Sequence, residues 1–149
     1  MRNYILLLLI TCLSCKTRQA DSNISCGGKV TIQYERNNEE NKNKPKANKN
    51  IQGSIVYFVN EYDDDIEVYV DDKLYFEKHI KIDAGSDSLD EYFGVGYQHT
   101  TKLPILKVKS KTQNTCFDIE MNKEYKLIYV FLSRDGKWIV RFSNVYYIK

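Results

Sequence analysis

Carboxylates are the most abundant side chains that could do chemistry, and they are concentrated in one part of the sequence. The run of Asp63, Asp64 and Asp65 is followed by the pair Asp71 and Asp72. Carboxylate oxygens suit Ca²⁺, but none of these acids has the spacing of an EF-hand loop. Aspartate is also common in turns. We therefore predict that these acids occupy turns and exposed positions, and that Asp63, Asp64 and Asp65 contribute to a binding surface.

The two histidines do not complete a metal-binding or catalytic set. Neither His79 nor His99 has a second histidine or a cysteine at ligand spacing, so a zinc or copper site is not expected. Gly94 and Gly96 lack the third glycine of a dinucleotide loop, and the common hydrolase, zinc-protease and phosphate-loop motifs do not occur. A hydrolase built on the acids would require two carboxyls about 5 to 9 Å apart inside a cleft. We expect no catalysis, no metal and no cofactor.

Tyrosines offer a second kind of recognition chemistry. They supply 12 of the 19 aromatic residues, and Tyr69 and Tyr75 fall at outward positions of their predicted strands. Exposed tyrosines suit protein or glycan partners because they provide contact area at a small cost in conformational entropy. Together with the three aspartates at 63–65, Tyr69 and Tyr75 are the candidate binding residues. The alternative is that these tyrosines simply cover the surface of a sheet.

The N-terminal residues predict export. Arg2 precedes an apolar run at 5–10, which is too short to span a bilayer. The run ends in Thr11-Cys12-Leu13-Ser14-Cys15, which resembles the lipobox of bacterial lipoproteins, although Cys12 and Leu13 depart from its usual residues. In that family the cysteine after the signal becomes the acylated first residue of the mature protein, which implies a lipid on Cys15. Cleavage before Cys12 and an ordinary secretory signal are the alternatives.

This resemblance also implies a cellular location and a domain boundary. We expect a signal peptide at 1–14, a polar tether at 15–28, and an exported protein at the outer membrane or in the periplasm, attached to the membrane through its lipid. An oxidising compartment would allow Cys26 and Cys116 to form a disulfide. The bond would close a loop of about 90 residues and stabilise the domain by roughly 4 kcal/mol in the chain-entropy model. A free thiol at Cys116 is the alternative.

The charge distribution excludes one class of partner and leaves two arrangements open. The formal net charge is only +2, so nucleic acid is not an expected partner. Residues 61–91 hold twelve acids and three lysines, whereas residues 102–149 hold ten bases and four acids. Adjacent strands could neutralise one another. Alternatively, one acidic face could bind a partner, as in a periplasmic inhibitor or immunity-type protein.

The elements that must position these residues are predicted to be β-strands. Branched and aromatic residues dominate the composition, and apolar and polar residues alternate with a period of two. The pattern of residues 65–82 predicts a hairpin with a turn at Asp71 and Asp72. Lys78 stands where the alternation requires an apolar residue, so it would mark a bulge or an edge. Residues 83–101 are predicted to be irregular, with room for a short helix. We expect an all-β fold, an antiparallel β-sandwich of about eight strands, with a small β-barrel as the alternative.

The domain organisation follows from the same patterns. Residues 29–149 are expected to form a single domain, interrupted by a disordered loop at 36–50 that is rich in Asn and Lys. Two segments, at 66–73 and 122–127, resemble the V-x-V-D-G-K and G-K-Y motifs of transthyretin-like and PEGA-type modules of bacterial surface proteins. The usual glycines are replaced by Asp72 and Asn122. The resemblance implies a β-sandwich with a binding or structural role, which is the function that we expect.

Overall fold

The computed structural model describes residues 28–35, 41–86, 89–97 and 102–147. Within these residues the chain forms nine β-strands and no α-helix. The strands are β1 (Val30–Tyr34), β2 (Gly53–Phe58), β3 (Tyr62–Val70), β4 (Lys73–Ile82), β5 (Tyr92–Gly96), β6 (Ile105–Ser110), β7 (Thr115–Glu120), β8 (Leu127–Leu132) and β9 (Trp138–Ser143). No helix among the described residues is long and apolar enough to cross a bilayer.

The strands form two sheets that pack face to face. One sheet has the order β1-β9-β8-β2-β5, and the other has the order β4-β3-β6-β7. Strands of both sheets contribute to one buried apolar cluster, in which Trp138, Phe117 and Phe58 are among the largest fully buried side chains. The prediction of an all-β sandwich is therefore confirmed, and the barrel alternative is wrong because no strand pairing joins the two sheets among the described residues.

The five-stranded sheet is mixed, not purely antiparallel. β1 runs parallel to β9, and β2 runs parallel to β8, whereas the four-stranded sheet is antiparallel throughout. The mixed sheet also contains β5, which lies within the stretch predicted to be irregular. Phe93 and Val95 of β5 are buried, and the residues that follow each of them, Gly94 and Gly96, are exposed. The alternation of apolar and polar side chains expected of a strand is not visible in the sequence, because glycine has no side chain.

The hairpin predicted at 65–82 is present and extends three residues further towards the N-terminus. Asp71 and Asp72 form its turn with positive φ angles of 49° and 62°, the backbone of a tight two-residue hairpin turn. A bulge shifts the register between Val68 and Tyr69. β4 is an edge strand, and Lys78 points towards the sandwich interior at this edge, where it pairs with Glu91 at 2.6 Å. Lys78 thus marks an exposed edge, as predicted.

The outer face of the mixed sheet is covered by two segments outside the strands. Residues 41–51 and 144–147 lie over it, joined by a bridge between Lys46 and Val145. Ala47 is buried there beside Tyr57 and Tyr129. The structure therefore differs from the predicted disordered loop over 41–50, because a few small or polar residues are enough to anchor this polar stretch. The remaining part of that loop, 36–40, lies outside the described residues.

The two ends of the sandwich carry different features. The described chain begins at Gly28, where an added Cβ would lie 2.1 Å from the Cys116 carbonyl oxygen, so only glycine permits this close approach. The adjacent Lys29 carbonyl accepts a hydrogen bond from the Trp138 N–H. We call this the entry end. The far end, opposite to it, carries the β3–β4 turn and the β7–β8 connection at 121–126.

Candidate binding surfaces

The three consecutive aspartates do not form one surface. β3 places Asp63 and Asp65 on the outer face of the four-stranded sheet and turns Asp64 inwards, where it is only 3% exposed. The Asp64 carboxylate accepts hydrogen bonds from the Ser110 hydroxyl at 2.5 Å and the Thr112 N–H at 3.2 Å. Its role is to support the turn between β6 and β7. The grouping of all three as binding residues is corrected here, because side chains alternate faces along a strand.

His79 lies between the two outward aspartates. Its Nδ1 is 2.9 Å from Asp65 and its Nε2 is 3.1 Å from Asp63, and all three side chains are more than half exposed. The hydrogen bond to Asp65, followed by the charges of both carboxylates, raises the pKa of His79 above its usual 6.5. Each carboxylate contacts a different ring nitrogen, so the three groups do not converge on one point. The described residues contain no set of three side chains suited to hold a metal ion.

The remaining charges on this outer face largely neutralise one another. Glu67 on β3 stands directly opposite Glu77 on β4, a repulsive arrangement by itself. The Lys111 amine contacts both, at 3.0 Å from Glu67, and Lys109 lies 3.3 Å from Glu67. Hydrogen bonding to Lys111 and then to Tyr69 lowers the pKa of Glu67 to about 2. The acidic and basic stretches of the sequence therefore meet on adjacent strands.

The two candidate tyrosines lie in separate places. Tyr69 is half-buried on the outer face, and its hydroxyl donates a hydrogen bond to Glu67 at 2.8 Å. Tyr75 lies at the sandwich edge between β4 and β5, where its hydroxyl donates to the Gly94 carbonyl at 2.7 Å. Its ring packs against Phe93 with centroids 5.8 Å apart. The structure thus brings together Asp63 and Asp65, but not Tyr75 with them.

A groove that the sequence did not indicate lies at the opposite edge of the sandwich, towards the far end. It opens between β1 and β7 and has a volume of about 410 Å³. Its lining combines apolar and charged side chains: Ile32, Tyr34, Leu103, Ile119, Glu120, Met121, Asn122, Lys123 and Glu124. Tyr34 is 42% exposed and stacks on Phe142 with centroids 5.3 Å apart. One face of the Tyr34 ring is therefore covered by Phe142.

A second hollow of about 350 Å³ adjoins the groove through the shared side chain of Leu103. It is lined by Asp71, Asp72, Lys102 and Ile105 as well. The Asp71 carboxylate accepts a hydrogen bond from the Ile105 N–H at 2.9 Å, which ties the hairpin turn to the start of β6. Leu103 lines both hollows, which lie next to each other at the far end, and we call the two together the recess.

No strand among the described residues pairs with the outer side of β1, which lies beside this groove, and we call that side the open edge. β1 is the terminal strand of its sheet, and its odd-numbered residues face β9, since the Lys29 carbonyl and the Glu35 N–H bond to that strand. The N–H and C=O groups of a strand alternate between its two sides. Those of Val30, Ile32 and Tyr34 therefore point away from the sheet, towards the open edge.

Several predicted residues lie outside the described part of the chain. These include the signal at 1–14, Cys15 and Cys26, together with most of the tether and His99. Cys116 is described: it is 6% exposed and lies on the outer face of β7. Its pairing with Cys26 stays a prediction.

Comparisons with known proteins add no relative: no family model matches the chain, and no curated protein or solved structure is significantly similar to it. The resemblances to lipoproteins and to transthyretin-like modules therefore remain expectations from the residues quoted for them.

Proposed function

We propose that this protein is exported, is held at the cell envelope by a lipid on Cys15, and acts as a non-catalytic binding module that presents its far end to a partner. The observation that carries this proposal is the placement of the groove relative to the start of the domain. The chain enters at Gly28, beside Cys116, whereas the groove lined by Tyr34 and Met121 opens towards the opposite end. A tether that joins the domain at Gly28 would attach at the end opposite to the groove.

The charge pattern favours this proposal over an inhibitor with an acidic face. Glu67 and Glu77 share Lys111, and Asp63 and Asp65 flank His79. These contacts interrupt the acidic surface that such an inhibitor would require. The outward acids lie on an exposed sheet face and not in a cleft, so they also give no support to a hydrolase.

The lipid anchor is tested by the intact mass of the full-length protein extracted from membranes. We expect cleavage before Cys15 and an added mass equal to that of its acyl chains. The variant Cys15→Ser should remain unprocessed or become soluble, whereas Cys12→Ser should be processed normally. An unmodified Cys15 in the wild-type protein would contradict the anchor. Modification at Cys12 would move the anchor and correct the cleavage site.

The disulfide between Cys26 and Cys116 forms part of the same proposal. Gly28 packs directly on the backbone of Cys116, and Cys26 precedes it by two residues, a distance of at most about 7 Å along the chain. Bonded cysteines have Cα atoms about 4.4–6.8 Å apart. The positions of Gly28 and Cys116 thus allow the bond, which would fasten the tether to the entry end.

A further inference from the structure

We infer that the groove binds an extended, cationic segment of a protein partner, which adds as a strand to the open edge of β1. This inference rests on the proposed function, because it specifies the kind of partner that the binding module takes. It follows from three independent features: the backbone groups of β1 that no described strand pairs with, the shape and apolar lining of the groove, and the charge around the recess.

The backbone of β1 supplies the first feature. The outward N–H and C=O groups of Val30, Ile32 and Tyr34 form an edge of about 17 Å, the length of a five-residue strand. An extended peptide satisfies such groups with its own backbone and needs no particular sequence to do so. A glycan lacks the regular spacing of donors and acceptors that would match them.

The opposite edge of the sandwich shows that an open edge is not general in this fold. There, Tyr75 donates a hydrogen bond to the carbonyl of Gly94 on the edge strand β5, and Lys78 pairs with Glu91 across the gap between the sheets. Such contacts protect an edge strand against pairing. The described residues place no comparable contact over the outward groups of Ile32 and Tyr34.

The groove beneath this edge suits the side chains of an added strand. Every second side chain of a strand on β1 would point towards the space between the sheets. Ile32, Ile119 and the ring of Tyr34 line that space. A volume of about 410 Å³ accommodates aliphatic side chains from such a strand. The groove thus selects apolar residues at alternate positions.

The charge around the recess favours a segment that carries positive charge at its far end. The lining of the two hollows includes four carboxylates and two lysines: Glu120, Glu124, Asp71, Asp72, Lys102 and Lys123. Glu120 and Glu124 are exposed, and neither forms an ion pair with another described residue. A lysine or arginine at the end of the segment that reaches the far end, beyond Tyr34, would complement this excess of negative charge.

The experiment uses the full-length protein in a non-ionic detergent and two synthetic peptides of eight residues. Both have valine at alternate central positions; one carries two lysines at each end, and the other carries two glutamates at each end. We expect calorimetry to show at least about tenfold tighter binding of the lysine peptide. Hydrogen exchange should show slowed exchange of the amides of Val30, Ile32 and Tyr34 on binding, with exchange of the β8 and β9 amides unchanged.

Two pairs of variants locate the binding. Tyr34→Ala should weaken binding of the lysine peptide at least about fivefold, whereas Tyr92→Ala, at the exposed tyrosine of the other edge strand, should not. The double variant Glu120→Gln/Glu124→Gln should likewise weaken it about fivefold. The matched control is Asp63→Asn/Asp65→Asn, which removes two equally exposed charges far from the groove. The charge variants keep the test valid should Tyr34→Ala unfold.

Several outcomes would overturn the inference. These are equal affinity for both peptides, unchanged exchange at β1, equal effects of the groove variants and their controls, and binding of a soluble chitin oligosaccharide in place of either peptide. If the peptide-binding tests fail but Cys15 is acylated, the inference is overturned and the proposed function is retained. An unmodified Cys15 contradicts the proposed anchor without affecting binding at β1.

Discussion

At the scale of single residues, Asp64 is distinguished from its neighbours by burial. Removing its carboxylate in Asp64→Ala would leave the Ser110 hydroxyl and the Thr112 N–H without their acceptor. Because Asp64 and the Ser110 hydroxyl are buried, we expect the free energy of unfolding to fall by roughly 3 kcal/mol. Urea denaturation measures this loss. Asp63→Ala, one residue earlier but exposed, is the control and should change the free energy of unfolding by less than about 0.5 kcal/mol at pH 8, where the contact with His79 contributes little. Similar losses in both variants would contradict the assigned roles.

The pKa of His79 provides a second test at this scale. We expect NMR titration to give a pKa above 6.5, and Asp65→Asn to lower it more than Asp63→Asn, because the hydrogen bond to Asp65 is its principal cause. The folded-state pKa is raised, so the stabilisation from these contacts is complete below pH 6.5 and is lost as pH rises through the folded-state pKa. An unperturbed His79, or equal effects of the two variants, would show that the contacts do not persist in solution.

At the scale of elements, the β3–β4 turn offers a prediction that the sequence resemblance also suggests. Asp72 has a φ of 62°, a left-handed conformation that glycine adopts without strain. We expect Asp72→Gly to stabilise the protein by roughly 0.5 kcal/mol and Asp72→Val to destabilise it by roughly 1 kcal/mol or more. Thermal unfolding measures both. Stabilisation by valine would exclude the left-handed turn.

Local patterns were sufficient to predict most individual elements. The alternation of Ile66 and Val68 and the turn at Asp71 and Asp72 each reflect contacts within one hairpin. β5 was missed because Gly94 and Gly96 present no side chains to alternate. The last strand, β9, ends at Ser143, after which the chain crosses the outer face of the mixed sheet.

Strand partners and the groove could not be predicted in this way. β1 pairs with β9, which lies 108 residues further along, since Val30 is opposite Trp138. Nothing in the alternation of a strand specifies a distant parallel partner. The groove depends on that pairing, because it lies where β1 ends one sheet and β7 ends the other. In the sequence, Ile32 and Tyr34 alternate as core residues of a strand do. Because β1 lies at an edge, they line the groove instead.

At the scale of the whole molecule, the disulfide determines how firmly the tether and domain are joined. Cys26 and Cys116 would close a loop of about 90 residues, so Cys26→Ser should lower the free energy of unfolding by roughly 4 kcal/mol in the chain-entropy model. Urea denaturation under oxidising conditions measures this change. With a reducing agent present, the variant and the wild-type protein should become equally stable. A wild-type protein that is insensitive to reduction would contradict the bond.

The central claim is that the far-end groove meets a protein partner while the entry end is held at the membrane. The most direct measurement replaces Tyr34 with a photo-crosslinking benzoylphenylalanine in the full-length protein in its own cells, with the same replacement at Tyr92 as control. We predict one crosslinked protein from position 34, which the lysine peptide suppresses in isolated envelopes, and no such product from position 92. The same products from both positions, or none from position 34, would contradict the claim.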